Sequence, residues 1–273
     1  MRGRVGEGRP VVAIVGLGLV GGSLARALTR AGYQVLGVDR PVVLRRALAA
    51  RAVALGRSLG DAASEADVVV LAAPPDANLR LLRDLARRPT PLPVVTDVGS
   101  VKGAIAAEAR RLGLDRFVGG HPMAGSERSG FAASSAGLFR GRPWILTPSG
   151  SRPEAVRAVR ALIRAAGARA LVMTPGEHDR AAAFLSHTPQ VASWALLGAA
   201  LADPVARRHL RMAGPGFHDM TRLAASPRRL WREILAQNRG EVVRALGRLA
   251  RALERAGPGG PSLVSSRRRG SER

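Results

Sequence analysis

The chain of 273 residues has no cysteine, a single lysine among its 43 basic residues, and aromatic residues at only 3%. The missing cysteine excludes disulfides, thiol nucleophiles and thiolate-held metals. The five histidines do not fall at the H-E-x-x-H spacing of zinc enzymes, so no metal site is expected. Long apolar runs are also lacking. The longest, residues 191–202, is too short for a bilayer and is interrupted by a serine and a tryptophan. The first ten residues are rich in glycine and arginine and lack the apolar segment of a secretory signal, so a soluble, cytoplasmic protein is expected.

Acidic residues are scarce too, 20 against 43 basic ones, for a formal net charge of +23. Such a balance raises nucleic-acid binding as a function. Two features argue against it. The arginines are scattered through every predicted helix instead of forming a stripe, and the few aromatics leave almost no stacking platform for single strands. The arginine excess reads as the composition of a GC-rich genome, and its diffuse positive field would steer small anions. Against that bias Lys102 stands out: the only lysine marks a place that needs a compact ammonium, which a guanidinium cannot mimic.

Residues 11–15 form a short buried-type run, followed by the turn GLGLVGGS (16–23) and a helical pattern to residue 31. A second strand is expected at 34–38, with Asp39 at its end. Further strands are expected at 67–72, 94–97, 117–119, 144–147 and 171–174, and helices at 77–87, 101–112 and 153–166. Alternating strand and helix indicate βαβ units and a mostly parallel sheet. After Thr174 the strand signals stop, and helix follows helix, punctuated by Pro189, Pro204, Pro215 and Pro227. The expected fold class is therefore α/β: a Rossmann-type domain at 11–175, then an all-helical domain at 176–256. Disordered ends are expected at 1–10 and 257–273. The helical faces carry more alanine and leucine than one small bundle buries, so a homodimer through this domain is expected.

Gly16, Gly18 and Gly21 complete a G-x-G-x-x-G turn between strand and helix, with Leu17 and Val20 in the same turn. The first glycine permits the tight turn, the second lets backbone approach a pyrophosphate, and the third lets helix and strand pack closely. A dinucleotide is the expected ligand. Asp39, 23 residues after Gly16, is placed to accept hydrogen bonds from the adenosine ribose and to repel a 2′-phosphate, which favours NAD over NADP. Arg40 next to it leaves some NADP use open. In the segment 72–75, Ala73 and Pro74 either wall the nicotinamide half of the groove or simply start a helix on a proline turn.

Four further motifs follow in order: DVGSVKG (97–103), HPMAGSE (121–127), SHTPQ (186–190) and GPGFHDMTRLA (214–224). With the glycine turn they resemble the prephenate/arogenate dehydrogenase family of tyrosine biosynthesis, over about residues 11–241. The resemblance implies a 6-phosphogluconate-dehydrogenase-like architecture and NAD-dependent oxidative decarboxylation of a cyclohexadienol. It implies His121 as the catalytic base and Ser100 as the group that orients the substrate hydroxyl, although an isolated serine there also reads as a helix N-cap. Ser126 and Glu127 would belong to a substrate loop, His187 to the pocket, and Arg222 would clamp the ring carboxylate. Trp231 would pack beside the pocket or in the core, and His187 could equally be a helix-surface histidine. Lys102 is grouped with the cofactor-binding residues. Pro215 departs from the family, in which many members have glycine. Prephenate and arogenate differ at a side chain for which Ser126, Arg128 and Arg180 are the candidate readers. Two alternatives share the turn. One is another hydroxyacid or imine reductase of this architecture, which usually has a lysine in the helical domain, where this chain has none. The other is a non-catalytic NAD sensor.

Overall fold

The computed structural model describes residues 10–88, 91–125 and 128–256; the ends expected to be disordered lie outside the described residues, except Pro10. In chain order the N-terminal part runs β1 (Val11–Val15), α1 (Leu19–Arg30), β2 (Gln34–Val38), α2 (Pro41–Ala49), β3 (Leu55–Gly56), α3 (Leu59–Glu65), β4 (Val68–Leu71), α4 (Pro75–Ala86) and β5 (Val94–Asp97). It continues through α5 (Gly103–Arg111), β6 (Phe117–Pro122), β7 (Pro143–Thr147), α6 (Pro153–Ala165) and β8 (Arg169–Val172). These strands form one sheet in the order β3-β2-β1-β4-β5-β6-β7-β8. Every neighbouring pair is parallel except β6 and β7.

A parallel sheet covered on both faces needs strands that are apolar throughout, and β1 (VVAIV) and β4 (VVVL) are buried at every position. Successive residues point to opposite faces. Val12 and Ile14 pack with Leu24 and Leu28 of α1 and with Val159 and Ile163 of α6. Val11, Ala13 and Val15 pack with Leu82 and Leu85 of α4 and with Ile105 and Ala109 of α5. The chain leaves β1 toward β2 on one side and returns to β4 on the other. That reversal opens a crevice at the carboxyl ends of β1 and β4, where open α/β sheets bind their ligands.

Three details differ from the sequence expectation, the first being the last strand, expected at 171–174 and found as β8 at Arg169–Val172. The stretch 41–66 holds α2, β3 and α3, which hydropathy did not reveal because β3 is only two residues long. The strand expected at 117–119 runs on to Pro122. Its extra residues are held by antiparallel pairing with β7, His121 opposite Ile145, which carries His121 into the sheet.

From Pro175 the chain is helical: α7 (Pro175–Ala182), a π-helical turn (Ala183–His187), α8 (Thr188–Ala202), α9 (Pro204–Arg208), α10 (Pro215–Thr221), α11 (Arg228–Gln237) and α12 (Arg239–Arg255). Thr174 and Glu177 form a reciprocal capping box that starts α7. Pro189, expected to break the helical ladder near His187, lies in the first turn of α8, and the widened turn before it accommodates the lost hydrogen bond. The interior of this part is small, built on Ala183, Val242 and Ala245, while Leu185, Val205 and Met212 are well exposed. Among the described residues no helix is long and apolar enough to cross a membrane.

Candidate active site

The glycine turn closes around contacts that leave no room for side chains at two of its positions. Gly16 has φ +98°, and a Cβ there would lie 2.7 Å from the Ala72 carbonyl; one on Gly21 would lie 1.9 Å from the Gly16 oxygen. Gly18 is different: a Cβ would meet nothing within 4 Å, so the missing side chain leaves open space at the start of α1. That helix begins without a side-chain cap and without an acid in its first turn, so its leading N–H groups are free to meet an anion. Val20 lies in this first turn.

Asp39 ends β2 with its carboxylate held by two backbone amides, Leu17 N–H to Oδ2 at 2.6 Å and Arg40 N–H to Oδ1 at 2.6 Å. The Arg40 guanidinium is largely exposed, 4.0 Å from that carboxylate. The segment after β4 starts a helix on a proline turn, one of its two sequence readings. Pro74 caps α4, which Pro75 starts, and the Ala72–Ala73 peptide lies against Gly16 at the crevice.

His121 is buried at the end of β6, and its Nδ1 lies 2.8 Å from Nε2 of His178 on α7. His178 Nδ1 in turn lies 2.7 Å from Asp179 Oδ1. Asp179 reaches back to the start of α5, where Lys102 N–H donates to Oδ1 and Gly103 N–H to Oδ2, both at 2.7 Å. Burial opposes the charge on Asp179, but the hydrogen bonds from His178, Lys102 and Gly103 hold its carboxyl below the usual range. His121 is pushed well below the ordinary histidine value by burial first, then by His178, Lys102 and His187 around it. It is neutral at working pH, as a general base must be.

His187 is buried nearby, its pKa lowered to about 4 mainly by burial, with Asp179 acting in the opposite direction. Asn238 Nδ2 donates to the Asp179 carbonyl at 2.8 Å and lies 3.2 Å from His187 Nδ1. Only the amide nitrogen can donate to that carbonyl, so the amide orientation is fixed, and His187 Nδ1 is an acceptor. Its proton therefore sits on Nε2. Trp231 meets the His187 ring edge to face at 5.9 Å and Trp194 at 6.3 Å, so it both lines this corner and packs in it. Arg222 is exposed, at the start of a single turn (Arg222–Ala225) that is tied to α8 by Gln190 Nε2 donating to Leu223 and Trp194 Nε1 to Ala224.

Three expectations are revised by the geometry. Lys102 is fully buried, and its ammonium is engaged by Asp97 and by the Gly120 carbonyl, so it braces the backbone beside His121 instead of lining the open cofactor crevice. Burial lowers its pKa while Asp97 acts to raise it. Ser100 is not the N-cap of α5; the cap position is Lys102, and the carboxylate that receives the leading amides comes from Asp179. Arg180 faces a surface cavity of about 580 Å³ between α7 and α12, with Glu177, Arg244 and Arg248, on the opposite side of α7 from His178. Ser126 and Glu127 lie outside the described residues. Ser100, at the loop leading into α5, neighbours His187 through its backbone.

Sequence reasoning missed His178, Asp179, Asp97 and Asn238. Asp97 stood in a quoted motif, five residues before the only lysine. His178 and Asp179 follow the capping box of α7, and local sequence does not set the direction in which they face. Nothing local marked Asn238. Among the described residues no group of histidines and carboxylates has the geometry to hold a metal.

Comparison with known proteins settles the family. A profile described as "Prephenate dehydrogenase, nucleotide-binding domain" matches residues 24–172, and one described as "Prephenate dehydrogenase, dimerization domain" matches residues 174–257. The chain belongs to the prephenate dehydrogenase family. Prephenate dehydrogenase of Bacillus subtilis (strain 168) is 32% identical over 86% of this chain and 66% of its own length, so the chain spans just under two thirds of that relative. Cyclohexadienyl dehydrogenase of Zymomonas mobilis is 34% identical, over 83% of this chain and 80% of its own.

Among solved structures of the family, prephenate dehydrogenase from Aquifex aeolicus in complex with hydroxyphenyl propionate and NAD+ has a TM-score of 0.83 at 31% identity. That match covers 90% of this chain and 88% of the other. Synechocystis arogenate dehydrogenase has a TM-score of 0.77 at 31% identity, covering 89% of each. A 3-hydroxyisobutyrate dehydrogenase from Salmonella typhimurium, 20% identical with a TM-score of 0.60, shares the fold alone.

Proposed function

We propose that this family member is an NAD-dependent dehydrogenase that converts prephenate to 4-hydroxyphenylpyruvate in tyrosine biosynthesis, with arogenate as the competing substrate. The observation that carries the reading is a buried, neutral histidine, His121, in a family-matched domain whose glycine turn opens on an uncapped helix. The residues fit the cofactor. The open space at Gly18 and the free start of α1 would take the pyrophosphate, with Leu17 and Val20 beside it, and Asp39 would take the ribose hydroxyls. The carboxylate of Asp39 favours NAD over NADP.

Bound NAD supplies the acceptor for the hydride that leaves the ring carbinol carbon. His121 accepts the hydroxyl proton at Nε2, its Nδ1 being turned to His178. Ser100 orients that hydroxyl, and His187, with its proton on Nε2, belongs to the pocket beside it. Arg222 holds the ring carboxylate until it leaves as carbon dioxide and the ring becomes aromatic, while Trp231 keeps the His187 corner dry. Ser126 and Glu127 are retained as the substrate loop. Aromatisation drives the reaction, so the protein has mainly to position the substrate and manage one proton. The exposed apolar residues of the helical part, together with the dimerization-domain match, support a homodimer.

The test is NAD reduction by the purified chain with prephenate and with arogenate. Saturable turnover on prephenate supports the proposal. Turnover on arogenate alone moves the assignment to the amino-acid substrate. NAD binding without turnover on either overturns it.

A further inference from the structure

The first helix after β8 brings two ionisable side chains to His121 that the chemistry above does not require. Their hydrogen bonds form one directed chain. Asp179 accepts from Lys102 N–H, Gly103 N–H and His178, and a carboxylate that receives three donors at the start of α5 is an acceptor throughout. His178 must therefore hold its proton on Nδ1. In the neutral ring the other nitrogen is then an acceptor, so His178 Nε2 accepts from His121 Nδ1–H. By the same rule Nε2 of His121 is bare.

We propose that His178 and Asp179 are positioning residues that fix His121 in the tautomer with a bare Nε2 and compensate its charge once that nitrogen is protonated. For the reaction itself this rests on the function proposed above; the tautomer argument rests on the hydrogen bonds alone. The burial of all three side chains protects the chain from exchange with water. When the substrate hydroxyl proton reaches Nε2, the bond from Nδ1–H to His178 becomes charge-assisted, and Asp179 supplies the balancing negative charge at the far end. Protonation is otherwise unfavourable in this buried place, which is why the pair matters. His121, Lys102 and Gly103 come from the sheet domain, whereas His178 and Asp179 open the helical part. The base is complete only while α7 is docked on α5.

The experiment is a long-range nitrogen–proton NMR spectrum of the histidine-labelled full chain, paired with steady-state kinetics, for the parent, Asp179→Asn, His178→Gln and His178→Leu. In the parent, His121 is expected to be protonated at Nδ1. Asp179→Asn removes the balancing charge and sets an amide N–H against the backbone N–H of Lys102 or of Gly103, and lowers kcat by about 10³- to 10⁴-fold, with KM changed less than about threefold. A glutamine at 178 offers an oxygen to His121 and an amide N–H to Asp179, so His178→Gln should keep the tautomer and stay within about tenfold of the parent kcat. His178→Leu should lose both.

A parent spectrum with His121 protonated at Nε2 overturns the proposal. So does a folded His178→Leu variant with unchanged tautomer and kcat, or a folded Asp179→Asn variant with unchanged kcat. A parent that turns over neither substrate refutes the function and leaves the spectra to decide the tautomer, so the two failures are distinguishable.

Discussion

Replacing Lys102 by methionine removes the counter-charge of a carboxylate that has no access to water. Asp97 and Lys102 are both buried, and the pair also holds the residue before His121: Gly120 accepts from the ammonium through its carbonyl and donates its N–H to Asp97 Oδ1 at 3.1 Å. Breaking one side of a buried pair costs about 3–5 kcal/mol. The loss in Lys102→Met is therefore expected to be about 3–5 kcal/mol at pH 7. That is a large share of a typical stability of about 5–15 kcal/mol.

Urea denaturation of parent and variant at pH 7, at one protein concentration, measures it. A loss below about 1 kcal/mol would refute the reasoning. Lys102→Arg is not expected to rescue. Lys102 Cδ lies 3.4 Å from where a Cβ on Gly119 would sit, and a fully buried side chain has no room for a larger head, at a cost of about 1–3 kcal/mol.

Acid should destabilise the fold through His187. Its folded pKa is about 4 against an ordinary 6.5, so between these values the unfolded chain binds more protons. Stability is full above pH 6.5 and falls by up to about 3 kcal/mol as the pH drops to 4; thermal melts of His187→Asn should show a shallower acid limb. Asp39→Asn removes the charge that repels a 2′-phosphate, and the NADP/NAD ratio of kcat/KM should rise by about tenfold, read from initial rates with each cofactor. Arg222→Ala should raise KM for prephenate by about 10- to 100-fold with a smaller change in kcat, and an unchanged KM would count against the carboxylate clamp.

The glycine turn was legible because Gly16 and Gly21 answer close contacts and Gly18 leaves open space: the strand–turn–helix context, the crevice and the placement of Asp39 all follow from local sequence. The antiparallel β7 was not legible, because period and composition do not give strand direction, and it is this pairing that draws His121 into the sheet. Lys102 was conspicuous for its chemistry, and the structure gives that chemistry a purpose, an ammonium small enough to be buried against Asp97, but away from the crevice. His178 and Asp179 were illegible for a different reason. They are neighbours on a short helix whose outer face holds Glu177 and Arg180, and only the docking of α7 on α5 decides which of these residues meets His121.

The role of His121 is tested by His121→Asn, with NAD affinity measured by titration and prephenate oxidation by NAD reduction. NAD affinity is expected within about twofold of the parent and kcat lower by about 10²- to 10⁴-fold, the contribution of a positioned base. Turnover equal to the parent's would contradict it, since no other neutral base is placed for that proton in the proposed mechanism.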